Sequence, residues 1–128
     1  MIKITEEKVR KFLQKLPNWK APGPDMAQGY WFKYFTTMHK SLKDSLADCF
    51  KVEKVPEWMT KWKTVLIQKD PAKGDDASNY RPITCLPLAW KILTAIIAEE
   101  TYTFLEQRSL LPEEKKGCRI GSRGTRDL

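Results

Sequence analysis

Two cations flank a polar stretch in the middle of the chain. Lys69 ends the segment Val65-Leu66-Ile67-Gln68-Lys69, which begins with a short apolar run, and Arg81 opens a second run in Tyr80-Arg81-Pro82-Ile83. Two short apolar runs joined by a polar segment are typical of a hairpin, so both cations are expected near the base of its loop. A lysine supplies a point charge and an arginine a planar fork of donors, and together they suit a triphosphate. The alternative is a surface hairpin that carries two solvated cations.

Adjacent carboxylates, Asp75 and Asp76, lie within the same polar stretch. Carboxylates held between strands bind the metal ions of many nucleic-acid polymerases. Such carboxylates need a tight turn with apolar strands against it, whereas these two lie in the long polar segment 71–79. We therefore predict a solvated loop tip and no metal site, and we assign no catalytic residue in this chain.

A third basic feature lies near the carboxy terminus. Arg119, Arg123 and Arg126 alternate with glycines and small hydroxyl residues. Small residues let the backbone approach phosphates while guanidinium groups reach them, so these arginines are candidate contacts to a nucleic-acid strand. The spacing is not that of a P-loop. A disordered basic end is the alternative.

Composition and charge favour a nucleic-acid partner. The 128 residues suit one domain, are 41% hydrophobic and 30% charged, and carry a net charge of +7. A basic balance of this size favours polyanions, and we expect weak, salt-dependent binding of RNA or DNA. No run approaches the roughly 18–20 apolar residues of a membrane span. The sequence does not indicate an oligomeric state.

The cysteines and the single histidine exclude several kinds of site. Cys49, Cys85 and Cys118 are far apart and odd in number, so they predict neither a disulfide framework nor a zinc site. A reducing, intracellular location, nuclear or cytoplasmic, is the simplest expectation. His39 is the sole histidine, which disfavours Ser-His-Asp chemistry, and we expect it to be a surface or partly buried structural residue.

The periodicity of apolar residues predicts an α+β fold. We expect helices over residues 6–15, 28–50 and 88–107, with breakers between 17 and 25, and strands over 63–69 and 80–86. Thr5 is placed to cap the first helix. Three helices should then pack on one small antiparallel hairpin. The side chains expected to be largely buried are Trp31, Phe35, Leu66, Ile83, Ile92 and Ile96.

Four segments in order resemble the amino-terminal, fingers part of reverse transcriptases from non-LTR, LINE-like retrotransposons. They are Lys20-Ala21-Pro22-Gly23-Pro24-Asp25; Trp62-Lys63-Thr64-Val65-Leu66-Ile67-Gln68-Lys69; Asn79-Tyr80-Arg81-Pro82-Ile83-Thr84-Cys85-Leu86 with Lys91-Ile92-Leu93; and Lys116-Gly117-Cys118-Arg119 through Asp127. The resemblance covers nearly the whole chain from Leu16 onward. The chain is therefore expected to consist of the predicted amino-terminal helix, 1–16, followed by the region that the resemblance identifies as a partial reverse transcriptase domain, 17–128.

The resemblance also implies roles for the cations. Lys69 and Arg81 match the positions that meet the nucleotide triphosphate in the fingers of a right-hand polymerase, and the segment from Arg119 to Asp127 matches the part that borders the template. The Gly-Pro-Asp loop belongs to the fingers framework. The family's catalytic carboxylates, which hold magnesium in the complete enzyme, lie in the palm, downstream of Leu128.

We therefore expect a truncated reverse transcriptase that is catalytically inactive alone, with no cofactor of its own. The alternative is a stand-alone basic nucleic-acid-binding module derived from a retroelement.

Overall fold

The computed structural model describes residues 2–51, 54–112 and 120–121, and the chain divides into two compact units, 1–96 and 97–128. Helices and one antiparallel hairpin make up the described part, which is compatible with the α+β class. The helices are α1 (Glu6–Lys15), α2 (Gly29–Tyr34), α3 (Met38–Lys51), α4 (Glu57–Thr60) and α5 (Leu88–Gln107), and the strands are β1 (Lys63–Gln68) and β2 (Tyr80–Cys85).

Helix α1 begins and ends where the sequence predicted. The Thr5 hydroxyl accepts a hydrogen bond from the Lys8 backbone N–H at 3.3 Å, which satisfies one of the free donors of the first turn. Its apolar face packs against α2 and α3. The α5 prediction is confirmed to the residue, although its sequence is apolar around most of its circumference.

The core of the first unit is built from helices. Its largest fully buried apolar side chains come from α1, α3, α4 and the first half of α5: Val9, Leu13, Leu46, Met59, Ile92 and Ile96. No helix in the described ranges is long and apolar enough to cross a membrane.

The predicted hairpin is confirmed. Strand β1 pairs with β2 in antiparallel register, with Lys63 opposite Cys85 at the base and Gln68 opposite Tyr80 at the loop end. The connecting residues, predicted as one polar loop, contain two short 3-10 turns, Pro71–Lys73 and Ala77–Asn79.

The prediction of one continuous helix over 28–50 is wrong. Helix α2 ends at Tyr34 and α3 begins at Met38. Between them, the Phe35 backbone adopts φ −81° and ψ 74°, which is not helical. The one-turn helix α4 was also not predicted, so the described fold has five helices and not three.

A buried histidine explains the break. The Phe32 carbonyl accepts a hydrogen bond from His39 Nε2 at 2.7 Å, while the Thr36 N–H, its partner in a continuous helix, donates to the Tyr34 carbonyl. Two consecutive β-branched residues, Thr36 and Thr37, also lower helix propensity there. His39 is therefore structural, as expected, but it is fully buried and not near the surface.

The predictions of burial are confirmed for α5 and wrong for the hairpin. Ile92 and Ile96 are 1% and 0% exposed, as predicted. Leu66 is 63% exposed and Ile83 is about half exposed, which corrects the prediction for the hairpin. Val65 lies opposite Ile83, so Ile83 and Leu66 project from opposite faces of the hairpin, and no single helical layer could bury both.

Trp31 and Phe35 were also expected in the core, and both are about half exposed. Their spacing of four residues suits one face of a helix. Helix α2 is only six residues long, however, and its only buried residue is Gly29. The amphipathic pattern here marks an aromatic surface and not a core.

Candidate nucleotide and nucleic-acid interface

The hairpin brings Lys69 and Arg81 to one face. Ile67 lies opposite Arg81, and the Lys69 N–H donates to the Asn79 carbonyl at 2.7 Å, which continues the pairing past the end of the strands. Because side chains alternate between faces, Lys69 and Arg81 point to the same side. They are diagonal neighbours, a relationship that separates residues by about 7–8 Å in a regular antiparallel pair.

Both cations are exposed and neither is neutralised by a carboxylate. The Lys69 ammonium donates to the Ser78 carbonyl at 2.8 Å. Within the part of the chain that the structure describes, the Arg81 guanidinium has no hydrogen-bond or ion-pair partner, and Lys69 has no ion-pair partner. Because neither cation is held in an ion pair, both can attract an anion to this face.

Asn79 holds the loop that follows Lys69, a role that was not predicted from the sequence. The side chain is 5% exposed. Its Nδ2 group donates to the carbonyls of Asp70 at 2.8 Å and Gly74 at 2.9 Å, and its Oδ1 accepts from the Asp70 N–H at 3.1 Å. One amide therefore ties the start and the middle of the loop to its end.

Each of the two 3-10 turns in the loop is preceded by a capping aspartate that is visible in the local sequence. The Asp70 carboxylate accepts from the Ala72 N–H at 3.0 Å and the Asp76 carboxylate from the Ser78 N–H at 2.9 Å, and Pro71 occupies the first turn. Aspartate before proline or a small residue is a recognised turn signal, so these caps could have been predicted. The long-range bonds of Asn79 could not.

The adjacent aspartates at the loop tip are engaged locally. Asp76 caps a turn, and Asp75 accepts a hydrogen bond from the Tyr80 hydroxyl at 3.0 Å. In the described ranges, no group of three or more His, Cys, Asp or Glu side chains is placed to hold a metal ion.

A cavity of about 430 Å³ lies in the loop region, lined by Lys69, Asp70, Lys73, Asp76, Ser78 and Asn79. Its two lysines are balanced by two aspartates. These four side chains therefore leave the cavity without net charge, and Arg81, which does not line it, adds a positive charge on the same hairpin face as Lys69.

The Gly-Pro-Asp loop lies against the end of the hairpin. A Cβ atom at Gly23 would approach the Pro87 nitrogen to 2.6 Å and the Leu86 carbonyl carbon to 2.7 Å, so only glycine fits there. Asp25 accepts a hydrogen bond from the Ala27 N–H at 3.3 Å and so stabilises a turn. This loop therefore packs closely against the backbone that follows β2.

The candidate strand-binding arginines, Arg119, Arg123 and Arg126, lie outside the described residues. Their role stays a prediction. Two residues between them are described, Ile120 and Gly121, which lie in an exposed turn with Gly121 at φ 86°.

Comparison with known proteins finds similarity at low identity to a retroelement polymerase. No family model matches the chain. Over 121 residues, the chain is 27% identical to the RNA-directed DNA polymerase from mobile element jockey of Drosophila melanogaster. The aligned region covers 91% of this chain but only 13% of that protein. The similarity supports a relationship to retrotransposon reverse transcriptases at the level of the family, and with it a segment derived from a retroelement polymerase.

Proposed function

We propose that this chain is the fingers region of a non-LTR retrotransposon reverse transcriptase and that its hairpin binds the triphosphate of a nucleotide through Lys69 and Arg81. The observation that carries the proposal is the placement of two exposed cations, without carboxylate partners among the described residues, on one face of the hairpin. The jockey polymerase, which aligns over most of the chain, supports the same family.

The two side chains suit different parts of a triphosphate. The Arg81 guanidinium can bind two oxygens of one phosphate through parallel N–H donors, whereas the Lys69 ammonium acts as a point charge. The bond from the Lys69 N–H to the Asn79 carbonyl fixes the lysine backbone relative to the strand that carries Arg81. A fixed backbone lowers the entropy cost of binding both charges to one ligand.

Polymerisation needs more than this hairpin. Two-metal phosphoryl transfer requires carboxylates that hold magnesium beside the primer hydroxyl and the leaving group. The 128 residues contain no Tyr-X-Asp-Asp sequence, and the resemblance places those carboxylates in the palm. We therefore expect the isolated chain to extend no primer in the presence of template, magnesium and nucleotides. Extension that is lost in the Asp75→Ala variant would contradict this expectation.

Nucleic acid is the second proposed ligand. The net charge of +7 and the arginines at 119, 123 and 126 favour phosphate contacts without base specificity. Micromolar or weaker affinity near physiological salt is typical of non-specific binding. The second candidate function, a stand-alone basic nucleic-acid-binding module, rests on the same charge and requires no triphosphate site.

A nucleotide titration tests the triphosphate site. A fluorescent deoxynucleoside triphosphate is titrated with the full 128-residue chain at low ionic strength, and the Lys69→Gln and Arg81→Gln variants are compared with wild type. We expect each variant to weaken binding about three- to tenfold, because each removes one charged contact to phosphate.

Matched controls separate the site from general charge. Lys73→Gln removes an exposed lysine of the same loop, and Arg108→Gln removes an arginine that contacts the Phe104 ring. Both controls should bind the nucleotide like wild type. Equal losses in all four variants would mean a diffuse electrostatic effect, and the triphosphate site would be rejected.

A further inference from the structure

Five aromatic side chains form a connected cluster on the first unit, away from the hairpin in sequence. The Trp19 and Tyr30 rings stack, with centroids 4.9 Å apart and planes 13° from parallel. Tyr30 also contacts Tyr34 at 4.7 Å and Trp31 at 5.3 Å, and Trp31 contacts Phe35 at 5.5 Å. We call these five residues the aromatic cluster.

Most rings of the aromatic cluster are largely exposed to solvent. Trp19 is 66% exposed although one face of its indole is covered by Tyr30, so the opposite face is free. Tyr34, Trp31 and Phe35 are each about half exposed. Exposed aromatic residues in a contiguous group mark an interaction surface.

Lysines lie beside the cluster. Trp19 directly precedes Lys20, and Tyr30 directly follows Gly29; both Lys20 and Gly29 line an apolar cavity of about 240 Å³ that also includes Lys91. In the described part of the chain, neither the Lys20 nor the Lys91 ammonium group has a hydrogen-bond or ion-pair partner.

A third cation is held at the same place by the backbone. Lys33, in α2, donates to the carbonyl oxygen of Leu16, another residue that lines the cavity, at 2.8 Å. No acidic residue lines this cavity among the residues described. The positive charge beside the aromatic cluster is therefore not compensated at the cavity itself.

We propose that the aromatic cluster and the adjoining lysines form a binding surface for single-stranded nucleic acid. Bases would stack on the free face of Trp19 and on Tyr34, and phosphates would contact Lys20 and Lys91. Aromatic stacking beside a cationic track is the arrangement that binds single strands without sequence preference, because every base offers a π face.

Charge decides between a nucleic acid and an apolar peptide as the occupant. An apolar peptide would gain nothing from the lysines and would leave their charges partly desolvated. A single strand matches both the rings and the cations. The inference rests on the proposed function in so far as both give the chain a nucleic-acid ligand, but it uses none of the residues of the triphosphate site.

Anisotropy titrations test the surface. A fluorescein-labelled oligouridine of about 12 nucleotides, long enough for one or more typical single-strand sites, and its deoxythymidine counterpart are titrated with the full chain at several salt concentrations. The Trp19→Ala variant should weaken binding about 5- to 150-fold, the range for loss of one stacked base. Its salt slope should equal that of wild type, since stacking releases no counterions.

The lysine variants, unlike Trp19→Ala, should change the salt dependence of binding. In the Lys20→Gln/Lys91→Gln double variant, the slope of log affinity against log salt should fall by about 1.4, because each lost phosphate contact removes about 0.7. Trp19→Phe should keep most of the affinity, which shows that the ring is needed and guards against an unfolded alanine variant. Tyr34→Ala is a second ring variant, and it should also weaken binding at unchanged slope.

Trp58→Ala is the matched control, because Trp58 is similarly exposed but belongs to no described ring pair. It should bind like wild type. Wild-type affinity in the Trp19→Ala and Tyr34→Ala variants, or no oligonucleotide binding at low salt, would overturn the inference and favour a protein partner for this surface. Unchanged triphosphate binding in Lys69→Gln and Arg81→Gln, together with intact ring-dependent strand binding, would instead reject the proposed function and leave this inference standing.

Discussion

The Lys69 N–H donates to the Asn79 carbonyl oxygen at 2.7 Å, and the Asn79 side chain closes the loop that separates the two residues. The candidate triphosphate lysine is therefore attached by its backbone to the residue that shapes the loop. A substitution at Asn79 should therefore alter the position of Lys69 through the backbone hydrogen bond, although the Asn79 side chain makes no hydrogen bond to the Lys69 or Arg81 side chain.

Replacement of Asn79 should destabilise the hairpin. Asn79→Ala removes three hydrogen bonds and leaves the Asp70 N–H and two carbonyls without this partner. We expect the free energy of unfolding in urea to fall by about 2 kcal/mol, within the range for loss of a buried polar partner. Ser78→Ala is the control, because the Ser78 hydroxyl makes no hydrogen bond in the described structure, and it should change stability by less than about 0.5 kcal/mol. Equal effects would contradict the assigned role of Asn79.

Substitutions on the hairpin and in the core should differ sharply in their effect on the free energy of unfolding. Leu66→Thr should change the free energy of unfolding by less than about 0.5 kcal/mol, because Leu66 is mostly exposed. Ile96→Ala should cost about 2–5 kcal/mol, because Ile96 is fully buried and the change leaves a cavity. Chemical denaturation of both variants measures the difference. A cost at Leu66 similar to that at Ile96 would show that this face of the hairpin is covered in solution.

Gly23 should tolerate no side chain. In Gly23→Ala, the new Cβ would lie 2.6–2.9 Å from backbone atoms of Leu86 and Pro87, which cannot move as a flexible side chain can. Forced displacement of well-packed atoms costs about 1–3 kcal/mol, and thermal unfolding should report it. Pro24→Ala changes the neighbouring exposed residue and should cost less than about 1 kcal/mol. A fully stable Gly23→Ala variant would contradict the close approach of the two segments.

The Cys49 thiol should be slow to react at neutral pH. Burial raises the pKa of this thiol above its ordinary value, and the nearby Asp48 carboxylate acts in the same direction, whereas a backbone hydrogen bond opposes them. The thiolate is the reactive form, so alkylation by iodoacetamide should rise only at a pH above the thiol's ordinary range. The neutral thiol is favoured in the folded state, so its contribution to stability is present below the unfolded pKa and is lost as pH rises through the folded pKa.

Peptide mass spectrometry across a pH series measures the Cys49 reaction directly. The urea-unfolded chain provides the reference, because the same cysteine should then titrate with its ordinary pKa. Asp48→Asn should move the folded profile to slightly lower pH. Identical profiles for folded and unfolded chain would mean that Cys49 is not desolvated.

The sequence by itself determined the elements whose signals are local. The Thr5 cap and the acidic residues that follow it define α1, the long apolar pattern defines α5, and two short apolar runs on either side of a polar segment define the strands. The position of Lys69 and Arg81 near the loop end followed from the ends of the same two runs. Each of these signals depends on residues within a few positions of one another, where backbone geometry dictates which side chains are neighbours.

Only the tertiary structure decided which apolar surfaces are covered and where the chain turns. Aromatic periodicity predicted one helix over residues 28–50, but the hydrogen bond between His39 and the Phe32 carbonyl stabilises a break between α2 and α3. The same periodicity predicted buried Trp31 and Phe35, and the short α2 leaves them exposed. The bonds from Asn79 to Asp70 and Gly74 likewise join residues that sequence spacing does not bring together. Burial and buried hydrogen bonds depend on partners distant in the chain, and a periodic pattern records which residues share a face but not what packs against it.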